Sequence, residues 1–363
     1  MRKTLIVSAV TLVLLASLDG LITLTLGWVE RSGRMSSLVQ YFEYGRSVPG
    51  KLERWEQNPG VRGNLYDVAW PAEIIANSQK EFAIGRNTSE PVIRSYGMSF
   101  VNNILRATKG LEPSLIWDSH SGPAAPPNFT YAVFEQDREN RRPKDIVVLG
   151  ILSSSVTAMA ALSNRSWAFE QPAPFTYPIY WPDGENGLRP VTPLINSPTE
   201  QRALTRDSDA LKAWRNQLAT EDAFYAPQTF GLIWADQSPF ARLVRRSFAK
   251  EHIAQTKVAI LSGQYPYTEV LQRMISRFAL QARTDSQIPV VMLIQTGDLR
   301  DPDLLSIAKP VLTQHDIPYF ATAEHFDPQD PSGFVSDGHY LPRVDHLFAE
   351  VFLEQIGLLK RSQ

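Results

Sequence analysis

The chain has 363 residues, 43% hydrophobic and 20% charged, enough for one large packed domain or two small ones and unlike a disordered chain. Its formal net charge of -2 gives no electrostatic reason to expect nucleic acid or an acidic polymer as a partner. Cysteine is absent, which excludes a disulfide scaffold, a cysteine nucleophile and thiolate metal sites.

The amino terminus opens with Arg2 and Lys3 and continues as an apolar run from Leu5 to Trp28, broken only by the charge of Asp19. About 20 apolar residues cross a bilayer as one helix. The run therefore predicts a membrane anchor over residues 1–30, with Arg2 and Lys3 cytoplasmic and the remainder outside. A cleaved signal peptide is the other reading. Asp19 is costly in lipid, so it predicts either a partner helix or a shallow position. Residues 31–88 read as a juxtamembrane stalk and cover. Ser36–Tyr44 is a short helix there, Val48-Pro49-Gly50 and Asn58-Pro59-Gly60 are turns, and Asn64–Ile75 is helical or irregular.

An alternation of strands and helices then begins and fills residues 89–363. The strands are Val92–Tyr96, Ser114–Asp118, Asp145–Leu152, Val290–Gln295 and Pro318–Thr322. The helices between them run from Ser99 to Lys109, around Tyr131–Asn140, Val156–Leu162, Tyr267–Ala282 and Asp301–Gln314, where Pro310 predicts a kink. A closing helix spans Arg343–Leu358. This pattern predicts an α/β domain with a parallel sheet. Residues 164–250 break the rhythm and read as an insertion. It holds one hairpin, FTYPIYW with RPVTPLI, and helices at Pro198–Leu218 and Phe240–Ala249. The aromatics from Phe175 to Trp181, with Trp214 and Trp234, make either the insertion's core or a sugar-stacking wall.

Two stretches carry the chemistry. Gly97-Met98-Ser99 lies where the first strand turns into a helix, so a hydroxyl sits at the sheet's carboxyl edge beside a helix amino terminus. Serine is also a favoured helix N-cap, which is the plain alternative. Near the other end, FVSDGHYLPRVDH places Asp337 and His339 two apart in a loop. A serine hydroxyl needs a base to become a nucleophile, and imidazole titrates near neutrality. Asp337 would hold the tautomer. Of the other histidines, His120 and His325 are candidates to face the cleft and His346 is structural; no spacing suggests a metal site.

In order and spacing these two motifs resemble the SGNH (GDSL-like) hydrolase family, over roughly residues 89 to 358. The resemblance implies a flavodoxin-like three-layer α/β/α sandwich and catalysis by Ser99, His339 and Asp337 without a cofactor. It departs at Asp337, since the family spaces the pair as D-x-x-H and Ser336 holds the earlier position. For the oxyanion the family implies the Ser99 N–H and a glycine N–H, best matched by Gly122. Its third donor is an asparagine, which is missing after the third strand. Ser153, Ser154 or Asn128 would have to substitute, although serines there also cap helices. This departure points to divergent envelope members acting on polysaccharide acyl groups. The expectation is a single-pass inner-membrane serine esterase, its catalytic domain in the periplasm, removing O-acetyl groups from a glycan through acyl-Ser99. The alternatives are an O-acyltransferase working with an integral-membrane acyl-export partner, and a non-catalytic glycan-binding or assembly protein.

Overall fold

Five short apolar segments pair side by side, all parallel, in the computed structural model, which describes residues 2–33, 35–58, 60, 64–83, 92–204 and 206–357. In chain order the strands are β1 (Val92–Gly97), β2 (Ile116–Ser121), β3 (Ile146–Leu152), β4 (Ile179–Asp183), β5 (Gly187–Val191), β6 (Ile288–Ile294) and β7 (Tyr319–Ala321). The parallel sheet has the order β2-β1-β3-β6-β7, and β4 and β5 form a separate antiparallel hairpin. β1 and β3 are buried along their whole length; β3 is an unbroken apolar run, as inner parallel strands require, while β1 buries Arg94 by pairing it with Asp118 and Asp145. Helices cover both faces. Tyr96 and Gly97 point to opposite sides. The ring of Phe134, from helix Pro127–Gln136, meets Tyr96, while Val101, from helix Ser99–Leu111, lies over Gly97.

The mixed α/β architecture and the hairpin follow the sequence reading, with boundaries moved by local chemistry. β2 begins two residues later and runs on to Ser121. The helix expected around Tyr131–Asn140 is α-helical over Pro127–Gln136 and ends in a single 3₁₀ turn, Arg138–Asn140. The segment after β3 is a 3₁₀ helix, Ser153–Ala160, rather than an α-helix. The helix expected over Pro198–Leu218 is two, Pro198–Leu204 and Ser208–Glu221. The second starts anew because the Asp207 side chain accepts the N–H groups of Asp209 and Ala210. The helix expected from Asp301 starts at Leu304, capped by Asp303, and continues through Pro310 to Gln314.

Val48-Pro49-Gly50 is not a turn but the first turn of helix Val48–Gln57. Pro49 is tolerated there because a first-turn N–H has no intrahelical acceptor, and Ser47 Oγ caps Gly50 N. Residues from Asn64 are irregular until helix Pro71–Ala83 begins. Pro59 of the expected Asn58-Pro59-Gly60 turn, the 88/89 boundary and Leu358 at the end of the last helix lie outside the described residues. The cover is tied to the insertion by Asp236, which accepts Ser47 N–H at 2.9 Å and Ser47 O–H at 2.6 Å and pairs with buried Arg245.

One helix, Arg2–Ser32, is long and apolar enough to cross a membrane by length and composition. Asp19 needs no second protein to explain it. Its carboxylate accepts the Phe240 N–H at 2.9 Å, at the start of helix Pro239–Ala259. Pro239 carries no N–H, Ser238 Oγ takes Ala241 N, and Asp19 takes the one between, so the first turn is satisfied. Asp19→Ala should leave Phe240 N uncapped, a loss of about 0.5–2 kcal/mol locally. Hydrogen exchange of the full chain in nanodiscs should then show faster exchange at Phe240, and unchanged exchange would show that the bond is not made.

Asp222 fastens the insertion to the segment that follows the Ser153–Ala160 helix. It is 6% exposed and accepts Leu162 N at 2.9 Å, Ser166 Oγ at 2.7 Å and Phe224 N at 2.9 Å. Burial outweighs these bonds and pushes its carboxyl from the usual 3.8 up to about 6. The folded state therefore keeps a proton that the unfolded chain releases. Asp222 lowers stability as pH climbs from about 4 to about 6, and the loss persists above. Thermal melts across that window should show this slope, and Asp222→Asn should flatten it whatever its effect on absolute stability.

Candidate active site

Ser99 is the first residue of its helix, with Met98 as the extended N-cap residue. The helix can begin so close to the sheet because two glycines lie beneath it. A Cβ on Gly97 would come 2.9 Å from Val101 Cγ2, and one on Gly150 of β3 would press closer still on the same methyl. Ser99 is thus not a side-chain cap. Its hydroxyl points across the edge of the sheet to His339, with Oγ 2.7 Å from Nε2.

His339 stands in a tight loop. Gly338 N–H donates to Val335 O at 3.0 Å, Val335 N–H to His339 O at 2.8 Å, and Phe334 bridges Tyr340. Gly338 takes φ 88°, the left-handed region that suits glycine. That turn makes the two-residue spacing of Asp337 and His339 workable. Asp337 Oδ1 accepts the His339 backbone N–H at 3.1 Å and lies 3.0 Å from the ring Nδ1. With Nδ1 donating to Asp337, Nε2 is left to accept from the Ser99 hydroxyl. The His339 backbone N–H, and then its ring, hold the Asp337 carboxyl below its usual range. The Asp337 side chain is 69% exposed, so solvent weakens its grip on the ring.

Three neighbours escape a reading of the sequence. Phe100 stacks on the His339 ring, centroids 4.6 Å apart at 22°, and Tyr340 meets Phe100 edge-on while its hydroxyl donates to Gln295 O at 2.5 Å. Adjacency to Ser99 and His339 is the only signal for either, since in sequence both read as ordinary core aromatics. Asp345, in helix Pro342–Gln355, is buried with Oδ1 unpartnered among the described residues. Burial raises its carboxyl to about 6, against the pull of His339 and Arg106.

The expected oxyanion donors fare unequally. The Ser99 N–H is a first-turn amide with no acceptor inside its helix. Gly122 is not available, because its N–H donates to Gly97 O at 3.2 Å and prolongs the β1–β2 ladder; its glycine identity answers to the Phe129 ring, 3.0 Å from a built Cβ. Asn128 is fully buried away from the cleft, its Nδ2 donating to Pro178 O at 2.7 Å and Met159 O at 3.3 Å. Ser153 Oγ is engaged by Thr296, accepting its N–H at 3.0 Å and sharing a bond with Oγ1 at 2.9 Å. Ser154 alone of the side-chain candidates lines the cleft with Ser99 and His339. His120 is buried, stacked on Tyr96 and between Asp118 and Asp137, and His325 stacks on Phe320, so neither faces the cleft. Phe175 and Tyr177 are core, while Trp234 is 77% exposed.

The cleft over Ser99 measures about 1010 Å³ and is lined by the segments that follow β1, β2, β3 and β6, with the 328–339 loop. Pro123, Ala124 and Asp337 are shared with a neighbouring depression of about 700 Å³ walled by Tyr44, Trp167, Glu170 and Lys250. Lys257, Asp298 and Asp301 place both signs of charge along the cleft. No family model and no curated protein matches this chain.

The glycine contact is testable. Gly150→Ala should push Val101 and the start of its helix off the sheet, and a displacement near 1 Å at Ser99 costs about a hundredfold in any reaction the site performs. Adding Val101→Ala removes the obstructing methyl and should restore most of it in the same assay.

Proposed function

We propose that the protein is a membrane-anchored serine esterase of the SGNH type, built on a flavodoxin-like three-layer sandwich, that removes O-acyl groups from a glycan outside the cytoplasm. The observation that carries this reading is the hydrogen-bonded run from Ser99 Oγ through His339 to Asp337 at the carboxyl edge of a parallel sheet, where α/β proteins keep their ligand sites. The strand order β2-β1-β3-β6-β7 is the flavodoxin-like order once the hairpin strands are set aside.

In this mechanism His339 Nε2 takes the hydroxyl proton as Ser99 Oγ adds to the ester carbonyl. The oxyanion is met by the Ser99 N–H, with the dipole of its helix behind it, and by the Ser154 hydroxyl. The imidazolium, held by Asp337, returns the proton to the leaving sugar hydroxyl. Water then attacks acyl-Ser99 by the same route in reverse, and no cofactor is required. The open cleft and its joined depression suit a polymer chain better than an enclosed small ligand. The apolar amino-terminal helix, which opens with Arg2 and Lys3, supports a single inner-membrane span and a periplasmic domain.

The acyltransferase alternative uses the same residues with a sugar hydroxyl in place of water. Its argument from an unexplained charge in the span weakens now that Asp19 has a partner at Phe240. The non-catalytic alternative rested on the missing asparagine, and the complete Ser99–His339–Asp337 run weighs against it.

Full-length protein in nanodiscs should hydrolyse p-nitrophenyl acetate. Ser99→Ala and His339→Gln should lower kcat/KM by at least a thousandfold, and Asp337→Ala should be roughly a hundredfold less damaging than Ser99→Ala. Equal rates for wild type and Ser99→Ala end the enzyme assignment. Acetate release from an acetylated glycan, against transfer to a deacetylated one, separates esterase from transferase.

A further inference from the structure

The domain grips only the second half of the apolar helix Arg2–Ser32. Asp19, Ile22, Leu26 and Val29 recur at steps of three and four residues on one helix face, the first two half-buried and the last two buried. The helix packs on helices Ser36–Glu43 and Pro239–Ala259. Residues 3–18 are exposed throughout.

That leaves too little free helix for a bilayer. Residues 5–18 extend about 21 Å, against a hydrocarbon core of about 30 Å. With Leu5 at the cytoplasmic edge, Asp19 lies about 9 Å short of the opposite edge, and any tilt of the helix sinks it further. The hydrogen bond from Phe240 N–H to Asp19 carries the first turn of helix Pro239–Ala259 to the same depth.

The surface beside that turn suits such a depth. Leu232, Ile233 and Trp234 are 59%, 44% and 77% exposed, the one consecutive run of exposed large hydrophobics among the described residues outside the apolar helix. From Ala223 to Ala241 the only charge is Asp236, which is buried and paired with Arg245. Arg245 Nη2 also donates to Leu232 O at 3.0 Å, and Arg242 Nε donates to Asp236 O at 2.6 Å. The corner is thereby fastened to the first two turns of the helix that Asp19 caps. Leu232 takes φ 50°, the left-handed region that disfavours leucine. The chain accepts that strain and presents three apolar side chains together, which is a cost in water and a gain in lipid.

We propose that Leu232–Trp234 is a membrane foot. The corner enters the headgroup and upper acyl layer of the non-cytoplasmic leaflet beside the span, with the Trp234 indole at the interface, where tryptophan is favoured. This rests on the apolar helix being a membrane span and is independent of any chemistry at Ser99. Span and foot together give the α/β domain two attachments, and so one orientation on the bilayer. The rival is a bilayer that thins around a short span and leaves the corner in water.

The chain has no cysteine, so single cysteines report one position each. Leu12→Cys in the span, Ile233→Cys in the foot and Leu299→Cys are spin-labelled in the full-length protein in phospholipid nanodiscs. Leu299 is the aqueous reference. It is 83% exposed beside the cleft residue Asp298, and Lys257 of that cleft is about 26 Å along helix Pro239–Ala259 from Phe240. Collisions of each label with oxygen, which concentrates in lipid, are compared with those of a water-soluble nickel chelate. The oxygen-to-nickel ratio should be high at Leu12, and at Ile233 roughly threefold or more above that at Leu299. A high ratio at Leu12 with Ile233 no higher than Leu299 overturns the foot and leaves the span standing. A ratio at Leu12 as low as at Leu299 overturns the span, and the foot with it.

Discussion

Val101 resting on Gly97 and Gly150 is the contact on which the rest of the candidate site depends. Two adjacent parallel strands give up their side chains at one level, and a helix settles onto bare backbone. Interiors pack densely enough that even one methyl group there would be felt. The consequence is carried two residues back along the helix to Ser99, whose hydroxyl and free N–H emerge at the sheet edge together. One residue on, Phe100 becomes the platform for the His339 ring. The placement of the Ser99 hydroxyl, its backbone N–H and the His339 ring thus shares a single origin in backbone approach.

Polar groups are managed differently at the two ends of the sheet. Away from the cleft, buried Arg94 on β1 donates to Asp118 at 2.6 Å and Asp145 at 2.9 Å, and Tyr96 to Asp137 at 2.6 Å. Removing one member would strand its partner in a low dielectric, so this network holds the sheet and the helices beside it in one arrangement. At the cleft, Asp337 is largely exposed and Asp298 and Asp301 face an open trough. Dry, fully engaged charges build the frame, and solvated ones are left where a substrate can displace water. The amino-terminal helix and the cover are joined to the insertion through backbone amides capped by carboxylates, Asp19 at Phe240 and Asp236 at Ser47.

Local pattern made much of this legible. β3 is a continuous apolar run, the β4–β5 hairpin is flanked by aromatics and proline, and the Gly97-Met98-Ser99 turn reads directly as strand to helix. Val48-Pro49-Gly50 misled because proline and glycine signal turns as readily as helix starts, and only Ser47, itself held by Asp236 from far along the chain, decides between them. Gly122 and Asn128 misled for a related reason. Both residue types can donate to an oxyanion, yet Gly122 spends its N–H on the β1–β2 ladder and Asn128 its amide on the carbonyls of Met159 and Pro178, from two distant segments.

By itself the amino-acid sequence determined the things that period and composition encode. These are a long apolar helix at the amino terminus, an alternating α/β chain, buried parallel strands, a serine where a strand turns into a helix and a histidine in a loop after a strand. Which donors remained free was decided only by tertiary structure, as was the partner of Asp19 and the meeting of Ser99 with His339 across 240 residues. A hydrogen bond is a property of two positions in space, and a linear pattern specifies what each residue can offer but not which of its offers is already taken.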